Sequence, residues 1–161
     1  MPIDQCMKTN VISIGPDRSV RQATALMVSR HIGTLPVVEG SGKLIGLLTI
    51  SDVLRLFMPD FVSLIDKIDF VPDFGELEER RIPIEAGEQP VRAMMRKPVS
   101  VARRAGLLRA FVEINRHNLL DLPVVDEAGR LIGIASRVDI GTAFLARWQA
   151  QPPATGSAGR G

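Results

Sequence analysis

Apolar positions along this chain follow two spacings in turn, and the sequence of spacings occurs twice. Val20, Ala23, Thr24 and Met27 fall at i, i+3, i+4 and i+7, which places them on one face of a helix. Leu107, Ala110, Phe111 and Ile114 repeat those offsets later in the chain. The spacing predicts a helix from about Ser19 to Arg30, with Asp17 and Ser19 as N-cap candidates. Gly106 stands where Ser19 would cap, so the second helix is expected to start less firmly.

Short apolar runs surround each helix. Val11 to Ile14 reads as a leading strand. After the helix come Leu35–Val38 and Leu122–Val125, then a polar turn, then Leu44–Leu48 and Leu131–Ala135. Both turns carry glycine, which supplies the positive φ of a tight hairpin loop. A closing helix is predicted from near Ser51 and near Val138, so each unit is β-α-β-β-α. The match is ungapped from Ser13 to Asp52 against Ser100 to Asp139, an offset of 87 positions. Such a duplication implies two like units that bury each other's apolar faces.

The expected boundaries are 1–57 for the first unit and 90–150 for the second, with a helical insert at 58–89 between them. In the insert, Pro59-Asp60 suits a helix start, and Phe61, Leu64, Ile65 and Ile68 form an amphipathic stripe. Glu76 to Arg81 reads as a polar helical turn, and Pro83, Gly87 and Pro90 mark loop. Counting Phe57 at its edge, four of the six phenylalanines lie here, which fits either a connector packed on its own domain or an element that docks a partner. The tail 151–161, rich in Pro, Gly, Ala and Ser, is expected to be disordered.

Composition narrows the classes. At 161 residues, 45% apolar and 4% aromatic, the chain has enough aliphatic side chains for a core. The net charge is +2 and the basic residues are dispersed, so no nucleic-acid partner is expected. The lone Cys6 cannot form an internal disulfide and suits a reducing compartment as a small packed side chain. No apolar run approaches the ~18 residues of a membrane span, and Met1-Pro2-Ile3-Asp4 is unlike a signal peptide. A cytoplasmic protein without membrane insertion is the expectation.

The chemistry concentrates in one repeated pair. Thr49 precedes Asp52 by three positions, and Ser136 precedes Asp139 likewise, each at the junction of strand and helix. That spacing brings hydroxyl, carboxylate and free helix-start amides to one spot. A carboxylate there can accept both hydroxyls of a ribose, and the amides suit a phosphate. Helix capping is the competing explanation, since Thr, Ser and Asp all favour helix starts. A charge-assisted hydrogen bond is worth roughly 1.5–3 kcal/mol, so loss of a ribose-binding aspartate would cost about tenfold or more in affinity.

With its leading strand, helix, L-P-V-V-(D/E), G-x-L-I-G-h-h-(T/S)-x-x-D and closing helix, the chain resembles the CBS (cystathionine β-synthase) domain, and the duplication resembles the tandem CBS pair, or Bateman module. The likeness covers about 4–57 and 90–148. It implies an α+β fold of two pseudo-twofold repeats packed sheet to sheet, with adenine-based ligands between them: AMP, ADP, ATP, adenosine, S-adenosylmethionine or NAD. It also implies a disc-shaped homodimer that reports to a partner protein.

Carried over by motif, Asp52 and Asp139 match ribose-binding aspartates, and Thr49 and Ser136 the hydroxyls beside ribose and phosphate. Ile12 and Val99 match positions flanking the adenine. Gly33 and Leu120 match backbone contacts to the base, with plain packing as the alternative. Arg137 is within reach of a phosphate, or is simply solvated. Asp121 departs from the neutral or basic residue often found before the second Leu-Pro; facing a ligand, it would repel phosphate and favour a less charged ligand or a cation. Thr34 is its neutral counterpart.

Nothing else in the sequence forms a reactive constellation. His31 and His117 sit near helix C-termini, where histidine suits the dipole. No Cys/His cluster has metal-ligand spacing, and no P-loop, G-x-S-x-G or G-x-G-x-x-G occurs. Met94-Met95 reads as core filler, and Trp148 as an anchor of the closing helix against its own domain or a second copy. The expectation is a non-catalytic sensor of adenine nucleotides without a bound metal. The rival is a structural dimerisation module with empty clefts.

Overall fold

The computed structural model of the chain describes residues 1–56, 58, 81 and 83–152. The first repeat contains α1 (Val20–Arg30), β1 (Thr34–Val38), β2 (Leu44–Thr49) and α2 (Ile50–Leu54). A short helix α3 (Ile84–Glu88) precedes the second repeat, which contains β3 (Val101–Ala102), α4 (Leu107–Arg116), β4 (Asp121–Val125), β5 (Leu131–Ser136) and α5 (Arg137–Gln149). The α+β architecture of two repeats agrees with the sequence pattern.

Helix starts follow the capping chemistry. The Ser19 hydroxyl accepts from the Gln22 amide at 3.1 Å while the Gln22 side chain accepts from the Ser19 amide, a reciprocal capping box. Gly106 begins α4 with no side-chain cap. Val20, Ala23 and Met27 are buried beneath α1, as are Leu107, Ala110 and Ile114 beneath α4. Phe111 is a correction: it shares the α4 stripe in sequence yet is exposed, because it lies at the stripe's edge beside the outer face of α5.

Strands β1 and β2 pair antiparallel, with Thr34 opposite Thr49; β4 and β5 repeat this with Asp121 opposite Ser136. Gly42 and Gly129 occupy the connecting turns at φ +84° and +77°. The leading strands are shorter than expected. In the first repeat only Ile14 bridges Val37, and in the second β3 runs parallel to β4 for two residues.

Ahead of those strands the repeats exchange their leading segments. Lys8 bridges Ile134 of the second repeat, and Arg96 bridges Leu47 of the first. Ile3 is fully buried in the second repeat's core and Val91 in the first's. The glycines of both Leu-Ile-Gly motifs have their reason here. A Cβ on Gly46 would collide with Met95, and one on Gly133 with Met7, where the exchanged segments cross. The methionines thus fill space over the opposite repeat.

Two further expectations change. Gly87 lies within α3 rather than in loop, where it faces Arg21; the Arg21 guanidinium meets Glu88 at 2.9 Å and ties α3 to α1. Trp148 is 65% exposed, so it does not anchor α5 on its own domain. The expected stripe at 59–68, the polar turn at 76–81 except Arg81, and the tail from 153 onward lie outside the described residues.

Candidate functional site

Both Thr/Ser-x-x-Asp pairs form capping boxes. Thr49 donates from its amide (3.0 Å) and hydroxyl (2.8 Å) to one oxygen of Asp52. Ser136 donates to one oxygen of Asp139 in the same way, at 2.9 and 2.7 Å. In each pair the aspartate amide donates back to the hydroxyl. Capping is therefore realised twice, and the difference lies in what each carboxylate has left to offer.

Asp52 has little to offer. The Arg96 guanidinium, carried in by the exchanged segment, donates from Nε and Nη2 to its carboxylate at 2.9 and 2.7 Å, and Nη2 also reaches the Thr49 hydroxyl. Arg55 approaches the same carboxylate at 3.5 Å. Burial alone would raise the Asp52 carboxyl, but the Arg96 and Thr49 hydrogen bonds and the arginine's charge outweigh it and hold the group below the usual range. Asp52 is only 8% exposed, and neither it nor Thr49 lines a described cavity.

Asp139 is in a different state. Its exchanged-segment partner is Lys8, with Nζ at 3.4 Å on the oxygen that Ser136 already uses. The other oxygen, Oδ1, accepts no hydrogen bond among the described residues. Burial raises this carboxyl, while the Ser136 bonds and Lys8 bring it below the ordinary value. Asp139 and Ser136 line a cavity of about 140 Å³ together with Ile12, Thr34, Asp121 and Ile134.

The remaining candidates are divided between the two sides. Ile12 lies in the Asp139 cavity, whereas Val99 lines a wider cleft of about 590 Å³ with Arg96, Lys97 and Leu119. Gly33 and Leu120 pack on each other: a Cβ on Gly33 would lie 2.8 Å from the Leu120 side chain. Their carbonyls accept the first amides of α2 and α5, from Ile50 and Arg137, at 2.8 and 2.9 Å. The Arg137 guanidinium donates to the Leu119 carbonyl at 3.1 Å and does not line the Asp139 cavity.

Sequence reasoning missed Arg96 and Lys8. A signal existed: Met95-Arg96 and Met7-Lys8 correspond once the repeat is shifted by one residue, since the first copy has an extra residue ahead of Ser13. Among the described residues no three His, Cys, Asp or Glu side chains are placed to hold a metal, and no helix is long and apolar enough to cross a membrane.

Comparison with known proteins identifies the family of the two-repeat fold. Residues 3–59 and 91–145 match the CBS domain, so the chain belongs to the CBS domain family as a tandem pair. A CBS domain-containing protein of Dictyostelium discoideum is 28% identical over 153 residues, covering 94% of this chain and 96% of its own length. A homoserine O-acetyltransferase of Methanocorpusculum labreanum is 27% identical over 135 residues, 83% of this chain but only 22% of that enzyme. An uncharacterised protein of Methanocaldococcus jannaschii is 31% identical over 140 residues, and the match spans 86% of this chain and 30% of that protein. Among solved structures, CBSX2 in complex with AMP aligns with a TM-score of 0.68 at 26% identity, covering 91% of this chain and 98% of that one.

Proposed function

We propose that this CBS pair is a regulatory module that binds an adenine nucleoside or nucleotide in the Asp139 cleft and has no chemistry of its own. The observation that carries the reading is the uncommitted Oδ1 of Asp139, beside a cavity walled by Ile12 and Ile134. Apolar walls suit a purine face, and an ionised carboxylate suits the ribose hydroxyls. The cavity is smaller than the roughly 300–1,000 Å³ of common small-molecule sites, so part of the ligand would lie in its open mouth. The likeness to CBSX2, which was crystallised with AMP, supports an adenine compound.

Ligand binding would act by favouring one arrangement of the repeats, or of the 58–89 insert, over another. The regulated activity would belong to a separate protein in the cytoplasm. Leu108, Phe111, Phe144 and Leu145 expose an apolar face on α4 and α5, suited to pairing with a second copy. The units would divide as 1–57 and 90–150. The alternative of a purely structural pairing module rests on Asp52, whose carboxylate is spent on its cap and on Arg96.

Isothermal titration of adenosine, AMP, ADP and ATP into the full chain tests the reading, with stoichiometry as the key readout. One site per chain, weakened by about tenfold or more in Asp139→Ala and retained in Asp52→Ala, is expected. Absence of binding by all four compounds would leave the structural role.

A further inference from the structure

The Asp139 cleft carries two features that the shared capping motif does not explain. The first is Asp121. It stands opposite Ser136 in the β4–β5 register, and its side chain lines the same cavity as Asp139. Among the described residues, the charged ones lining that cavity are these two carboxylates and one ammonium, Lys8, which is tied to Asp139 at 3.4 Å with its side chain 66% exposed. Arg137, the arginine nearest in sequence, is directed to the Leu119 carbonyl. The cavity is therefore net acidic.

The second feature is Thr34, the counterpart of Asp121 in the first repeat. It is 3% exposed and lines the cavity, yet among the described residues its hydroxyl has no hydrogen-bond partner. The hydroxyl lies near enough to Asp121 to favour that group's ionised form without making a hydrogen bond of normal geometry. A buried hydroxyl left this way calls for a polar partner from outside the chain. Burial is the main influence on Asp121 and pushes its carboxyl up; Thr34 and Lys8 oppose this, and Asp139 adds to it. A further negative charge here would meet Asp121, whose ionisation burial and Asp139 already oppose.

We propose that the Asp139 cleft selects an adenine nucleoside that is uncharged or cationic beyond its ribose, and that Asp121 is the residue that turns 5′-phosphates away. Thr34 supplies a hydrogen bond to the bound nucleoside. The selectivity rests on the nucleoside-binding reading above and narrows its ligand class. Asp121 and Asp139 line the same cavity of about 140 Å³, so a phosphate held in it would lie close to both carboxylates. Like charges brought together at such short range oppose binding strongly.

The test is isothermal titration of adenosine and of AMP into the full chain and its Asp121→Asn and Thr34→Val variants, at fixed pH and ionic strength. Adenosine should bind wild type at least about tenfold more tightly than AMP, the scale expected from a like-charge contact. Asp121→Asn should raise AMP affinity by roughly tenfold while leaving adenosine within about threefold. Thr34→Val should weaken adenosine binding with the melting temperature preserved, which separates lost contact from lost fold. AMP binding wild type as tightly as adenosine, or an unchanged AMP affinity in Asp121→Asn, overturns the selectivity and leaves the nucleoside site standing. Failure of both compounds to bind wild type overturns the selectivity and the site together.

Discussion

The capping boxes at Asp52 and Asp139 are built from the same local instructions and finish in opposite states. Each has a hydroxyl residue at a strand end, an aspartate three positions on, and a basic residue delivered by the other repeat. The basic residue makes the difference. Arg96 presents a planar fork that engages both carboxylate oxygens and is itself only 31% exposed. Lys8 is a single point charge on a flexible stem and makes one longer contact. The arginine consumes its aspartate, whereas the lysine leaves an oxygen uncommitted. The surroundings diverge as well, with Arg96 and Lys97 beside one cleft and Asp121 beside the other. A motif found twice therefore defines two possible sites and not two equivalent ones.

Breaking the closed side should have the largest effect. Asp52→Ala removes the α2 cap and leaves Arg96 partly buried without its carboxylate; a loss of about 3 kcal/mol is expected, since losing one partner of a buried pair costs roughly 3–5 kcal/mol and Arg96 is partly solvated. Urea denaturation checks this, and a loss below about 1 kcal/mol would mean that the pair does not hold the fold. On the open side, Asp139→Ala should weaken adenosine binding by about tenfold to a hundredfold, the value of a charge-assisted hydrogen bond. Its stability loss should be smaller, about 1 kcal/mol for a cap.

Exchanging the basic residues sharpens the contrast. Arg96→Lys should loosen the grip on Asp52 at a cost of about 1 kcal/mol, and titration should then reveal a second nucleoside site per chain. An unchanged stoichiometry would locate the block elsewhere, in Arg55 or in the packing around Thr49.

The smallest expected effects depend on pH. Asp52 and Asp139 have carboxyls held below their ordinary value, so their stabilisation is present above the unfolded aspartate pKa of about 3.9 and is lost as pH falls through the folded values. Asp121 has the opposite sign. Its folded pKa is raised, so ionising it costs stability as pH rises. Asp121→Asn should raise the melting temperature at neutral pH, and the gain should vanish below about pH 4. A gain that persists in acid would trace to packing rather than charge.

Much of this was legible because it is local. Helix faces follow from spacing along a few turns, the turn glycines from backbone sterics, and the Thr-x-x-Asp and Ser-x-x-Asp caps from contacts three residues apart. Periodicity failed where an edge decided the outcome. Phe111 sits on the right stripe but outside the covered part of it, and Gly87 is helical because Arg21 and Glu88 fasten α3 to α1. The leading strand at Val11–Ile14 shrank to a single bridge, since its chain has just crossed from the other repeat.

By itself the sequence determined that two like units exist, where their helices begin, and that each presents an acidic cap. Only the tertiary structure decided that Arg96 closes one cap while Asp121 and Thr34 meet beside the other. The Arg96–Asp52 pair spans 44 positions and depends on exchanged segments that cross over Gly46 and Gly133. Such a pairing has no period along the chain; it exists only once the two repeats have packed.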